Sequence, residues 1–361
     1  MPDELVRGRA SLRVDELRRR AVQVLPPEVS EYINSGARNG LSAAEAAAAW
    51  DRIRFLPRML RDVSAVSTAT SVLGQPVATP ILIAPMAMQK AAHPDGEAAV
   101  ARAAATSGSL MAVSTNSGSK FADIGAAGAP WWLQVYVLRD RGVTAAQLQA
   151  ARAAGASAIV LTVDTPIVGS KYIAGQSIYE VVPDDFRLVN VDKAGLPEGA
   201  LVQADDLTPD DIGWLRDLTG LPVVVKGVLR ADDARLMVSA GASAVQVSNH
   251  GGRQLDQAVT AAEALPEIAA ALAGTGTEVY VDGGIRRAEH VLAALALGAR
   301  AVFIGRPVLW ALAAGGSSAE GGEDGVADLL ARFAADFREV MTLAGVRAPG
   351  EISADLVRHV A

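Results

Sequence analysis

Short runs of Val, Ile, Leu and Ala recur along the chain at Pro80–Ala84, Ser109–Ser114, Trp131–Tyr136, Ala158–Asp164, Pro222–Lys226, Ala244–Asn249, Glu278–Asp282 and Ala301–Gly305. Most are continuously apolar and do not alternate, the pattern of parallel strands buried on both faces. Between them lie stretches with helical spacing, among them Pro94–Thr106, Thr144–Ala153, Ala231–Ala240 and Arg287–Ala296. A strand–helix rhythm of this kind predicts right-handed crossovers closing into an α/β fold, a (β/α)8 TIM barrel.

The rhythm is uneven in one place. The step from Asp164 to Lys226 is about twice the others, so the fourth unit carries an insertion over 167–207. It is rich in Gly, Pro and Asp with poor periodicity, and a long loop after a barrel strand overhangs the active-site mouth. We read it as a mobile lid. Residues 1–70 read as an N-terminal helical segment, with helices at Glu16–Val24, Pro27–Ser35 and Ser42–Trp50; Leu25-Pro26-Pro27 supplies a turn and a helix start. Gly315–Gly325 reads as a linker before a last helix, Val326–Ala344. The whole of 1–361 is expected to form one barrel domain.

Composition narrows the classes. Half of the 361 residues are hydrophobic, enough for a large core. The net charge of −7 argues against a nucleic-acid partner. With no cysteine, disulfides, thiolate metal sites and cysteine nucleophiles are excluded, and no metal is expected. The charged start lacks an apolar signal core, and the longest apolar candidate, Ala301–Ala314, is broken by Arg306. No secretory signal, membrane span or membrane partner is therefore expected, and the expected location is the cytoplasm. Arg18, Arg19 and Arg20 follow acidic residues and read as a solvated helix face.

Barrel active sites lie at the C-terminal strand ends. The polar residues expected there are Ser114, Gln134 with Tyr136, Thr162 with Asp164, Lys226, Ser248 with His250 and Arg253, Asp282 with Arg286, and Gly305 with Arg306. Asp282-Gly-Gly-Ile-Arg286 and Gly305-Arg-Pro307 follow the last two strands, where barrels often bind phosphate; their glycines let backbone N–H groups approach an anion and their arginines add fork-shaped donors. The chain has no GxGxxG strand–helix fingerprint of a dinucleotide site. His250 can accept a proton near neutral pH, Asp164 can steady the resulting cation, and Arg253 can grip a carboxylate. Lys226, flanked by valines, is costly unless it meets an anion or polar ring atoms. Each residue alone is also what an ordinary polar strand end looks like; together they point to a catalytic site.

These strings resemble the FMN-dependent 2-hydroxy-acid oxidase and dehydrogenase family: Leu82-Ile-Ala-Pro-Met-Ala-Met-Gln-Lys90 with His93-Pro-Asp-Gly-Glu97, Gln134-Val-Tyr136, Leu161-Thr-Val-Asp-Thr-Pro166, Val225-Lys-Gly227, Ser248-Asn-His-Gly-Gly-Arg-Gln-Leu-Asp256, Asp282-Gly-Gly284, Ile304-Gly-Arg-Pro307 and Tyr32-Ile-Asn-Ser-Gly-Ala37. The resemblance implies FMN, with its phosphate on Gly284, Arg286, Gly305 and Arg306 and its ring and ribityl chain along Ala87, Ser114, Gln134 and Thr162. Ser248 and Asp282 are included in that cofactor site. Lys226 is implied at the flavin edge where negative charge builds on reduction. His250 is implied as the base and Asp164 as its support, with Tyr136 in both catalysis and binding; Tyr32, Tyr136 and Arg253 are implied as substrate ligands. The implied reaction is oxidation of an (S)-2-hydroxy acid to the 2-oxo acid, with O2 as electron acceptor and a homotetrameric assembly. His93 is read as structural, and Trp131 and Trp132 as core.

Two positions depart from the family pattern. Where the family usually carries a Gly-Arg-Arg type run, this chain has Gly169-Ser170-Lys171, and Lys keeps the charge but loses the fork. Asn116 stands where an aromatic residue is common. Both departures point to a substrate larger or more polar than glycolate or lactate, held by Arg253 with Lys171 as a weaker second contact. Two other readings stay open: a soluble dehydrogenase using another acceptor or an atypical substrate, and a non-catalytic flavin-binding protein. The strand-four insertion has no apolar or basic membrane insert, which favours the soluble forms.

Overall fold

The apolar runs form parallel strands because residues such as Ile81-Leu-Ile83 and Val223-Val-Val225 bury side chains on both faces, leaving the ladder to satisfy the backbone. The computed structural model describes residues 14–172, 176–315 and 321–359. In chain order the first elements are helices α1 (Val14–Val24), α2 (Pro27–Asn34) and α3 (Leu41–Asp51), then short strands β1 (Ile53–Phe55), β2 (Thr70–Val72) and β3 (Gln75–Val77). The barrel strands follow as β4 (Ile81–Ile83), β5 (Met111–Ser114), β6 (Trp131–Val135), β7 (Ile159–Thr162), β8 (Val223–Val228), β9 (Ala244–Val247), β10 (Glu278–Asp282) and β11 (Ala301–Ile304). They close in sequence order, with β11 back against β4. The helices between them are α4 (Gly96–Thr106), α5 (Phe121–Ala126), α6 (Arg141–Ala153), α7 (Ile178–Val181), α8 (Asp210–Thr219), α9 (Ala231–Ser239), α10 (Ala261–Ala271), α11 (Ala288–Ala296) and α12 (Arg306–Ala314). Helix α13 (Gly322–Ala344) and strand β12 (Val357–His359) end the described chain.

Strand alternation divides the core in two. Leu82, Ala112, Trp132, Val160, Val224, Tyr280 and Phe303 cluster together inside the barrel, apart from the sheet–helix shell that holds Ile81, Ile83, Val113 and Val225. The rings of Trp132, Tyr280 and Phe303 meet with centroids 5.6–5.8 Å apart and fill the interior. Val72 and Val77 of the β2–β3 hairpin join this cluster and plug the N-terminal end of the barrel. Trp131 and Trp132 are core residues, as expected. With the barrel filled, the cavity at the C-terminal strand ends lies above a packed interior.

All eight predicted strands are present, and each barrel helix named from the sequence is found within a few residues of its expected bounds. The N-terminal segment differs from expectation: it stops being helical at Asp51. Ile53–Phe55 pairs antiparallel with Val357–His359, so a strand replaces helix where the chain's two ends meet. Helix α13 starts at Gly322, inside the expected linker, with Glu323 and Asp324 in the first turn, where acids suit the helix dipole; residues 316–320 of that linker lie outside the described residues. Apart from residues 173–175, which lie outside the described residues, the 167–207 insertion is less irregular than its sequence suggests. It contains α7, closed by a capping box between Ser177 and Glu180, and it is pinned by bridges Arg38↔Lys171 and Leu138↔Gln203. Arg18, Arg19 and Arg20 are all exposed, as expected; Arg19 and Arg20 pair with Glu16, and Arg18 also lends its charge toward Arg286 and Arg306.

Candidate active site

The strand ends meet in one cavity of about 400 Å³. Every residue nominated for the site lines it except Asp164 and Ser248, which stand just behind its wall. His250 follows β9 in the left-handed region, φ +59°, a costly conformation for a side chain with a Cβ. Its Nδ1 lies 2.9 Å from Asp164 Oδ1, and its Nε2 lies 3.4 Å from the Tyr136 hydroxyl. Thr165 Oγ1 donates to the same Asp164 oxygen at 3.1 Å. Burial pushes the Asp164 carboxyl up, but the charge and hydrogen bond of His250, with Lys226 and Thr165, outweigh it and hold the group down at about 2. A carboxylate that stays ionised fixes the imidazole's orientation. Burial raises the Tyr136 hydroxyl, and the Asp164 charge raises it further, so it stays protonated.

Room for this pair comes from a bulge in β8. Gly227 has φ +108°, and a Cβ there would lie 2.6 Å from Asp164 Cβ. Beside it, Lys226 finds the anion its burial demands: Nζ donates to Ser248 Oγ at 2.9 Å and lies 3.3 Å from Asp282 Oδ2. Asp282 also accepts from Ser248 Oγ and Gln246 Nε2, both at 2.7 Å. Ser248 and Asp282 thus hold Lys226 in place from behind.

The cavity carries an excess of buried positive charge. Burial, then the charge of Arg18, lowers Arg286 to about 10; burial, then Arg253 and Arg286, lowers Arg306 to about 9. Arg286 stacks over Trp310 at 5.2 Å. Arg306 donates from Nε and both terminal nitrogens to the carbonyls of Ile33, Gly251 and Ser35, so in this arrangement it offers charge and not an open fork. Arg253 stacks on Tyr32 at 4.8 Å and donates to the carbonyls of Tyr32 and Ser35. The two arginines clamp the C-terminal end of α2, where helix carbonyls need donors. Tyr32 is pushed up to about 12 by burial, against the pull of Arg253. Lys171 Nζ lies 3.0 Å from the Gly169 carbonyl, and burial, then the Arg253 charge, lowers it to about 8.

Neutral polar atoms also lack partners. Gln134 Nε2 and Thr162 Oγ1 are buried on residues of the cavity wall with no partner among the described residues. Unpaired donors beside clustered cations fit a ligand that has both polar ring edges and an anionic end, which are the features of FMN. The sequence reading missed several lining residues: Thr165, Tyr179, Gln203 and Gln254. Gln203 Nε2 donates to the Thr165 carbonyl, and Gln254 Oε1 accepts the Gly169 N–H at 2.6 Å. Thr165 adjoins the nominated Asp164 and Gln254 adjoins Arg253, so those two were within reach. Tyr179 and Gln203 come from the insertion and carry no local signal. His93 accepts the Asp95 N–H and serves its own loop.

A filled barrel whose strand ends combine a His–Asp pair with an anion-seeking cavity fits a flavin-dependent oxidoreductase. Residues 21–359 match the FMN-dependent dehydrogenase family, and the chain belongs to that family, with FMN as its cofactor. It is 43% identical to "L-lactate oxidase" of Nostoc sp. over 87% of this chain and 89% of that protein. It is 40% identical to "2-Hydroxyacid oxidase 1" of Homo sapiens over 96% of each. Among solved structures, "The crystal structure of Mandelate oxidase with (S)-4-Hydroxymandelic acid" superposes with a TM-score of 0.86 at 39% identity, covering 96% of this chain and 98% of that one. Among the described residues no helix is long and apolar enough to cross a membrane.

Proposed function

We propose that the chain oxidises an (S)-2-hydroxy acid to the 2-oxo acid and passes the electrons to O2, as the names of its relatives suggest. The observation that carries this reading is the His250 ring, held by Asp164 on one nitrogen and facing Tyr136 and the cavity with the other. Bound FMN supplies the two-electron acceptor. His250 Nε2 takes the substrate proton, and Asp164 stabilises the cation that forms. Arg253 binds the substrate carboxylate, with Lys171 beside it and the hydroxyls of Tyr32 and Tyr136 as further donors. Lys226 supplies positive charge at the cofactor's ring edge. Gly284, Arg286, Gly305 and Arg306 receive the phosphate, while Ala87, Ser114, Gln134 and Thr162 line the rest of the cofactor.

The same reading treats 1–361 as one domain with 167–207 as a lid, and extends by family resemblance to a homotetramer in the cytoplasm. Lys171 in place of an arginine, and Asn116 with Gln203 in the cavity wall, support a substrate larger than lactate with a polar or aromatic side chain. The test is anaerobic flavin bleaching by a panel of 2-hydroxy acids, followed by admission of O2. The expected result is fastest bleaching by a bulky (S)-acid and rapid recovery of colour in air. Bleaching by none of the panel refutes the activity; fastest bleaching by glycolate or lactate refutes the substrate class; recovery only with an added acceptor refutes the oxidase.

A further inference from the structure

A second histidine–carboxylate pair lies behind the phosphate loop. His290, on α11, is 3% exposed and does not line the cavity. Its Nε2 is 2.8 Å from Asp51 Oδ1 at the end of α3, and its Nδ1 is 3.3 Å from the Arg286 backbone nitrogen. The Gly284 carbonyl is 3.2 Å from the same Nδ1. We propose that His290 is a positioning residue for the Asp282–Arg286 loop, holding the Arg286 peptide in the orientation that receives the cofactor phosphate. The inference rests on the reading that this loop binds that phosphate.

The hydrogen bonds around the ring fix its tautomer. Nδ1 cannot both accept from Arg286 and donate to Gly284. With Asp51 accepting at Nε2, the neutral ring carries its proton there, and the Nδ1 lone pair takes the Arg286 N–H. Burial favours this neutral form, and the Arg287 charge adds to it; Asp51 and the Gly284 carbonyl oppose them, and the group is lowered on balance. Arg287 also binds Asp51 at 2.5 Å and so shares the carboxylate with the ring.

The loop has little freedom on its other side. Trp50 Nε1 donates to the Gly283 carbonyl at 2.8 Å, and a Cβ at Gly284 (φ +81°) would lie 2.0 Å from the Ala46 carbonyl oxygen. Helix α3 therefore backs the two glycines, and His290 fixes the next peptide plane. That plane sets the direction in which the Arg286 side chain leaves for Trp310. A hydrophobic residue at 290 would bury the Arg286 N–H without an acceptor and free the plane to turn.

The experiment compares FMN with riboflavin, which lacks the phosphate, on the full chain stripped of flavin. Wild type is expected to prefer FMN strongly. His290→Leu is expected to lose roughly 10-fold or more of FMN affinity, because the freed Arg286 peptide must be re-oriented each time the phosphate binds, with riboflavin affinity unchanged. His290→Asn, whose side-chain oxygen takes the place of Nδ1, is expected to restore the preference, which a general packing defect would not predict. If His290→Leu does not fold, Asp51→Ala carries the test, since losing the Nε2 partner should weaken the same preference. A wild-type preference that survives His290→Leu, or Asp51→Ala in its place, overturns the inference alone, as does an equal loss for both flavins. A wild type that binds both flavins equally overturns the phosphate-loop reading first, and this inference with it.

Discussion

Replacing Asp164 by Asn isolates the charge behind His250. The substitution keeps the volume, and an amide oxygen can still accept from His250 Nδ1 at the observed 2.9 Å and from Thr165 Oγ1 at 3.1 Å. What disappears is the negative charge. The Asp164 side chain is only 14% exposed, so solvent screens that charge weakly. A hydrogen bond to a charged group contributes about 1.5–3 kcal/mol and a neutral one about 0.5–1.5 kcal/mol. The difference, about 1–2 kcal/mol, falls on the state in which His250 carries the proton, which corresponds to roughly 5–30-fold in rate. Lowering the pH does not mimic the mutation. A carboxyl depressed to about 2 contributes its stabilisation at every pH above the ordinary carboxylate range and loses it only as pH falls through about 2. The assay is anaerobic stopped-flow reduction of the bound flavin at saturating substrate. Asp164→Asn should bind FMN normally and bleach more slowly by that factor, and Asp164→Ala more slowly still. Bleaching at the wild-type rate in Asp164→Asn would show that His250 does not carry the proton in the rate-limiting step.

Two further outcomes follow from the same geometry. With Lys171 lowered to about 8, its cation is present below that pH and lost above it, so KM for a carboxylate substrate should rise as pH increases through about 8; Lys171→Arg should remove that rise, and an unchanged profile would place Lys171 outside the substrate site. Gly227→Ala should slow flavin reduction at least as much as Asp164→Asn, because the added Cβ would displace Asp164 from 2.6 Å away; wild-type reduction in that variant would show that the β8 bulge yields without moving the pair.

The strands were legible because a parallel barrel buries both faces of each strand, leaving a continuous apolar run in the sequence. Their ends were less so. The run at Pro222–Lys226 continues to Val228 because Gly227 bulges without leaving the sheet, and a glycine in a sequence does not announce which of the two it will do. The β1–β12 pair was invisible for a different reason. Three residues on each side carry almost no local preference, and their partners lie at opposite ends of the chain, so only tertiary packing creates the strands.

The site followed the same division. Polar residues at strand ends could be nominated one by one because the barrel itself brings every strand end to one mouth. Their mutual assignments could not. Lys226 needed an anion, yet nothing local to β8 shows that Asp282, two strands away, supplies it. Arg306 and Arg253 were read as forks for phosphate and carboxylate, but both also answer the bare carbonyls at the end of α2. That demand arises only once the N-terminal helix packs over the barrel. The consequence is that the helix carrying Tyr32 is held by the same two cations that line the cavity. Under the proposed assignment, a ligand that draws Arg253 or Arg306 toward an anion would also adjust the seat of Tyr32, because both arginines donate to the one carbonyl of Ser35.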